Sequence, residues 1–192
     1  MKLYHYSVDS YRGDKSLIND FANHFQFAEP FLLALREGME VFKASYFSCM
    51  YLSRELRDLN LRKRENYKKD AVEALFEYVR QTEFEKDSCS RLNCVYYCET
   101  PEEAIRYVLD DCIDCGDFKK EQVKILEVEV KENRVFRYDQ VFYNEAMEVI
   151  QKNQFDSVCD LARAYFSRKQ TSEPIFEILC DSENQVLRTL DY

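Results

Sequence analysis

Hydrophobic positions recur at two periods along this chain, and the changes of period divide it into elements. Lys2-Leu3-Tyr4-His5-Tyr6-Ser7-Val8 reads as a short strand, and the polar, Gly-containing run 9–16 as a loop. From Leu17 to Phe84 the spacing is helical. Phe31, Leu32, Leu35, Met39 and Phe42 form one face, Tyr46, Met50, Tyr51 and Leu56 extend it, and Val72, Leu75, Phe76 and Val79 form a second. Asn93–Glu99 returns to a strand pattern. Thr100-Pro101-Glu102-Glu103 predicts a helix start, with Thr100 as cap, Pro101 at the first helical position and Glu103 closing a capping box. That helix is expected over Pro101–Asp111. Val123–Val130 alternates most cleanly of all, and Val135–Tyr138 reads as a further strand. Tyr143–Gln151 and Phe155–Phe166 predict helices. Glu173–Cys180 and Val186–Leu190 predict closing strands, with Asp181-Ser182-Glu183-Asn184 as the turn between them.

This order lacks the regular β-α alternation of a doubly wound fold. It predicts an α+β class with a small, mostly antiparallel or split sheet. At 192 residues the chain fits one domain, 1–192, with 17–85 as a helical insertion. Only 3 Gly and 3 Pro occur, which disfavours long flexible linkers.

Charge and cysteine usage narrow the class. The net charge of −9 argues against binding nucleic acid or an anionic membrane through global attraction. The segment 54–69 is a local exception: Arg54, Arg57, Arg62, Lys63, Arg64, Lys68 and Lys69 face only Glu55, Asp58 and Glu65. It reads either as a solvated helix face with a turn at Leu59-Asn60 or as a phosphate-contacting patch. No apolar run approaches the roughly 20 residues that span a bilayer. No signal peptide is visible, and the 8 Cys are expected to be reduced, mostly buried thiols, so the cytoplasm is the expected compartment. Cys112-Ile113-Asp114-Cys115 is a C-x-x-C, but the spacing to Cys94 and Cys98 fits no common zinc pattern, so no metal is expected.

Three strands carry one polar residue each where chemistry could sit. His5, one of two histidines beside His24, can hold ribose hydroxyls or act as a base, or serve as a structural histidine. Tyr96 and Tyr97 face opposite sides of their strand, so one packs inward and the other is free to stack on a flat ring. Glu177 stands between Ile175-Phe176 and Ile178-Leu179, where a carboxylate is costly to bury unless paired.

Taken together, these segments resemble the ADP-ribosyltransferase superfamily of the histidine–tyrosine–glutamate type, with diphtheria-toxin-like and poly-ADP-ribose-polymerase-like domains. Leu3-Tyr4-His5-Tyr6-Ser7 is similar to the first motif. Val95-Tyr96-Tyr97-Cys98-Glu99, leading into a helix with Glu103-Ala104 and Tyr107, is similar to the second. Glu173–Leu179, followed by Gln185-Val186-Leu187-Arg188, is similar to the third. The resemblance spans roughly 2–16 and 91–190 and leaves the helical stretch unexplained. More narrowly, the whole chain resembles a bacterial group of small proteins without an assigned function.

The resemblance implies a split, mostly antiparallel sheet with the helical insertion between the first two motif strands, and NAD as a substrate. It implies that His5 bonds the adenosine ribose and Ser7 supports the nicotinamide side. It further implies that Tyr96 stacks on the nicotinamide ring and that Glu177 stabilises the charge developing as nicotinamide leaves. Arg91, just before the second motif, would meet a phosphate. The acceptor is open, nucleic acid or protein, with 54–69 as a candidate to receive it. Two departures stand out: Tyr6 follows His5 where many members carry Gly, and Ile175 stands where arginine-modifying members carry a second acid. Two other readings are an RNA 2′-phosphotransferase-like enzyme and a non-catalytic binding protein that keeps the fold.

Overall fold

The computed structural model describes residues 1–8, 16–17, 21–55, 61–113 and 119–192, apart from the side chains at 8, 21–24, 54–55, 61–65 and 111–112. In chain order the main elements are β1 (Lys2–Val8), α1 (Phe21–Glu37), α2 (Met39–Glu55), α3 (Leu61–Val79), β2 (Val95–Tyr97) and α4 (Pro101–Tyr107). They continue as β3 (Val123–Val130), β4 (Val135–Asp139), α5 (Val141–Val149), α6 (Phe155–Phe166), β5 (Phe176–Cys180) and β6 (Asn184–Leu190). The class is α+β, as the pattern of periods predicts. The chain divides into two compact units.

The sheet unit comprises Met1–Asn19, Cys94–Arg137 and Phe176–Tyr192. It holds two three-stranded sheets, ordered β1-β3-β6 and β2-β5-β4. β3 pairs antiparallel with both β1 and β6, and its register on β6 shifts between Glu127 and Val128. Alternation sorts the side chains into two cores. Leu3, Leu126 and Val128 cluster with Val95, Tyr97 and Ile178, while Val123 and Ile125 cluster with Cys98 and with Ala104 and Val108. The second cluster seats α4. Its start is the expected capping box: Glu103 N–H donates to Thr100 Oγ1 at 3.2 Å, and Thr100 N–H donates to Glu103 Oε2 at 3.4 Å. The helix ends at Tyr107, short of the expected Asp111, and passes into a π-helical turn over Val108–Ile113.

The helical unit comprises Asp20–Asn93 and Tyr138–Ile175. The stretch 17–85 therefore does not form a compact body alone; its helices share a unit with α5 and α6. Gly38 separates α1 from α2. Its φ of +133° lies where a side chain is strained, and its N–H caps the carbonyls of Ala34 and Leu35 at 3.1 Å. The core is aromatic. Phe42, Tyr46 and Phe155 meet edge to face or stacked at 5.4–6.3 Å, and Tyr138 stacks on Tyr165 at 4.4 Å. Asp139, 1 % exposed, accepts from the N–H groups of Val141, Thr171 and Ile175 and from the Thr171 hydroxyl. Burial opposes its charge, but these four donors outweigh it and hold the carboxyl below the usual aspartate range.

Candidate active site

The three motif strands, far apart in sequence, are neighbours in the sheet unit. β2 and β5 run antiparallel with Val95 opposite Cys180, Tyr96 opposite Leu179 and Tyr97 opposite Ile178. β1 joins β2 at a single bridge, where Tyr4 N–H donates to Cys98 O at 3.0 Å and Cys98 N–H donates to Tyr4 O at 2.8 Å. Reciprocal bonds of this kind define the closely spaced pair of an antiparallel ladder. The two sheets therefore meet at one residue pair, beside His5.

Register then assigns the faces. Tyr96 and Leu179 are opposite one another, and Glu177 lies two residues before Leu179, so Tyr96 and Glu177 share a face. Tyr97 and Ile178 point the other way, into the cluster with Leu3 and Leu126. Tyr96 is half-buried and Glu177 is 7 % exposed. Extending the register one step sets Glu177 opposite Cys98. Burial chiefly pushes the Cys98 thiol up to about 12, with the carboxylates of Glu103 and Glu177 adding to the effect against Arg106. Cys98 is thus a neutral thiol at physiological pH, next to the candidate carboxylate.

His5 takes a different position. Its Nδ1 lies 2.8 Å from the backbone O of Tyr96. A carbonyl only accepts, so Nδ1 carries the proton and Nε2 is the acceptor of the neutral ring. Burial lowers the His5 pKa, partly opposed by the same carbonyl bond, which keeps the ring neutral near pH 7. The imidazole meets the Tyr97 ring edge-on at 5.9 Å and runs parallel to the Tyr6 ring at 6.2 Å. It contacts the Tyr96 strand through backbone, while the Tyr96 side chain shares its face with Glu177. Ser7, 7 % exposed, alternates onto the Leu3 and His5 face of β1.

Arg91 belongs to the helical unit and is engaged there. Its Nε bonds Glu73 Oε2 at 3.1 Å, its Nη1 donates to the Tyr165 hydroxyl at 3.0 Å, and its guanidinium lies 3.9 Å from the centre of the Tyr143 ring. Both Arg91 and Glu73 are 7 % exposed. This buried pairing uses the planar fork that phosphate contact would need.

Of the basic segment, the side chains of Arg54–Glu65 and the turn at Leu59-Asn60 lie outside the described residues, as do the C-x-x-C thiols and the His24 side chain. Cys89, Cys94, Cys98, Cys159 and Cys180 are buried thiols. Among the described residues no group of three or more His, Cys, Asp or Glu is arranged to hold a metal ion, and no helix is long and apolar enough to cross a membrane.

Two features near the motif strands escaped sequence reasoning. One is Cys98 opposite Glu177, which appears once the β2–β5 register is known. The other is Arg137, which pairs with Glu99 at 3.0 Å and lies 3.3 Å above the Phe176 ring. Its only sequence signal was a basic residue within an otherwise apolar strand.

The fold is α+β, with candidate residues His5, Tyr96 and Glu177 on strands β1, β2 and β5, around the bridge between two small antiparallel sheets. The chain belongs to the DUF2441 family, described as a protein of unknown function, whose model matches residues 9–192. No curated protein matches the sequence.

Proposed function

We propose that this protein is an NAD-dependent ADP-ribosyltransferase that transfers ADP-ribose to an acceptor and releases nicotinamide in the cytoplasm. One observation carries the reading. The strands of the three motifs lie side by side as β1, β2 and β5, with the Tyr4–Cys98 bridge where the two small antiparallel sheets meet.

The roles follow from the site's chemistry. Neutral His5, protonated on Nδ1 by its bond to Tyr96 O, offers Nε2 as an acceptor for a ribose hydroxyl. Tyr96 supplies a stacking ring for nicotinamide. Glu177, on the same face, holds the nicotinamide-ribose hydroxyl and offsets the positive charge that develops as the glycosidic bond breaks. Its burial strengthens that interaction, because a carboxylate away from water acts through a lower dielectric. Ser7 supports the nicotinamide side. The phosphates fall to groups other than Arg91, whose guanidinium is engaged by Glu73 and Tyr165. That engagement also weakens the RNA 2′-phosphotransferase reading, which needs several arginines around phosphate.

A second reading is a non-catalytic NAD-binding protein on the same fold. The rings of Tyr6 and Tyr97 on either side of His5 favour it, since they occupy space beside the imidazole. Calorimetric titration with NAD tests both. Wild type is expected to bind NAD, and His5→Ala to bind about tenfold more weakly, the worth of one hydrogen bond near 1.4 kcal/mol. Absence of NAD binding by folded wild type rejects both readings. Binding without nicotinamide release rejects the enzyme alone.

A further inference from the structure

With Arg91 engaged in the helical unit, the phosphates of NAD lack a cation, and the register of the sheet unit supplies one. Four cations stand on strands of that unit: Lys2 of β1, Lys124 of β3, Arg137 of β4 and Arg188 of β6. Three are engaged. Lys2 and Arg188 both meet Glu127, and Arg137 pairs with Glu99. Lys124 is exposed and makes no hydrogen bond or ion pair with a described residue.

The β1–β3 ladder sets the place of Lys124. It lies opposite Ser7, and Leu126 lies opposite His5. Directly opposed residues project to the same face of a sheet, as do residues two apart on one strand. Lys124 therefore shares a face with Ser7 and His5. Diagonal neighbours such as His5 and Lys124 are about 7–8 Å apart, within reach of a long side chain. His5 offers Nε2 to that face as an acceptor, because Nδ1 is committed to Tyr96 O at 2.8 Å. A hydroxyl acceptor and an ammonium thus stand close enough for the sugar and the phosphate of one nucleotide to meet both.

Two plainer roles fit Lys124 less well. Lysines often guard the edges of sheets, but β3 is the middle strand of β1-β3-β6. The other role is an ion pair across the ladder. Extending the β3–β6 register by one step brings Asp191, just past the end of β6, opposite Lys124, yet the two form no ion pair.

We infer that Lys124 is the phosphate-binding residue of the NAD site, pairing with the pyrophosphate of the nucleotide whose ribose His5 holds. The inference rests on the NAD reading above and names the cation which that reading requires. Because the ammonium is exposed, its attraction to phosphate is screened by salt.

The test titrates the full chain with NAD by calorimetry, comparing wild type with Lys124→Gln, Lys124→Arg and Lys152→Gln. Lys152 is an exposed lysine of the helical unit, so its variant makes the same change of charge elsewhere. Lys124→Gln is expected to bind NAD about fivefold more weakly at low salt, the upper end for an exposed ion pair. The difference from wild type is expected to shrink between about 50 and 300 mM salt, as screening requires. Lys124→Arg, which keeps the charge, and Lys152→Gln are expected to bind as wild type does. Equal binding by wild type and Lys124→Gln at low salt overturns the inference and leaves the NAD reading standing. An equal loss in Lys152→Gln also overturns it, since the effect would then be one of net charge. Absence of NAD binding by folded wild type overturns the inference together with the reading beneath it.

Discussion

The two units hold their charged groups differently. In the helical unit, buried charges are fully engaged. Arg91 is held by Glu73 and Tyr165, Glu77 accepts from Arg80 and Ser90, and Asp139 has four donors. In the sheet unit the buried Glu127 carboxylate is met from outside by Lys2 and Arg188, whose side chains are 61 % and 68 % exposed. Deeper in that unit, the Tyr97 hydroxyl is buried with no hydrogen-bond partner among the described residues. A paired buried charge fixes a helix packing but is a weak binder, because its bonds are already made.

This contrast can be broken at several points. The largest effect is expected at Arg91. Arg91→Met leaves Glu73 buried without its cation and should cost about 3–5 kcal/mol in urea unfolding, with part recovered in the Arg91→Met/Glu73→Gln pair. A loss under about 1 kcal/mol would show that the network is not structural. Asp139→Asn removes the charge that four donors favour and should cost about 2–3 kcal/mol. Because the folded carboxyl titrates below its unfolded value, its contribution is full above about pH 4 and fades as pH falls through the folded value. Stability measured from pH 7 to 2 should therefore fall less steeply in Asp139→Asn than in wild type. Gly38→Ala, at φ +133°, should cost about 1–2 kcal/mol from strain alone, since open space surrounds the added carbon. The smallest effect is expected at Tyr97. Tyr97→Phe deletes a hydroxyl without a partner and should leave stability unchanged or raise it by up to about 1 kcal/mol. A clear loss there would mean that the hydroxyl is hydrogen-bonded after all.

Much of this fold could be read from period alone. Val123–Val130 and Phe155–Phe166 carry clean alternation and clean helical spacing, and both appear with the bounds the pattern predicts. The capping box at Thr100 is local chemistry and is found as written. The break between α1 and α2 was hidden because the apolar spacing runs on past it; only Gly38 marks it, and a single Gly is an ambiguous signal. The two-unit division was hidden because α5 and α6 join the earlier helices through contacts remote in sequence. For the site, alternation foretold that Tyr96 and Tyr97 would diverge, but not which would meet His5. That depends on the β1–β2 bridge, a pairing between residues 4 and 98 that no local pattern encodes. The engagement of Arg91 was hidden for the same reason, since Glu73 and Tyr165 lie 18 and 74 residues away.

The central claim rests on Glu177, the carboxylate that shares a face with Tyr96. The direct test is release of nicotinamide from NAD by wild type and by Glu177→Gln, with matched folding confirmed by circular dichroism. The proposal predicts measurable release by wild type and a loss of about 10²–10³-fold in the variant, the scale of removing one preorganised electrostatic contact. Equal release by both proteins, or none by wild type that binds NAD, would contradict it.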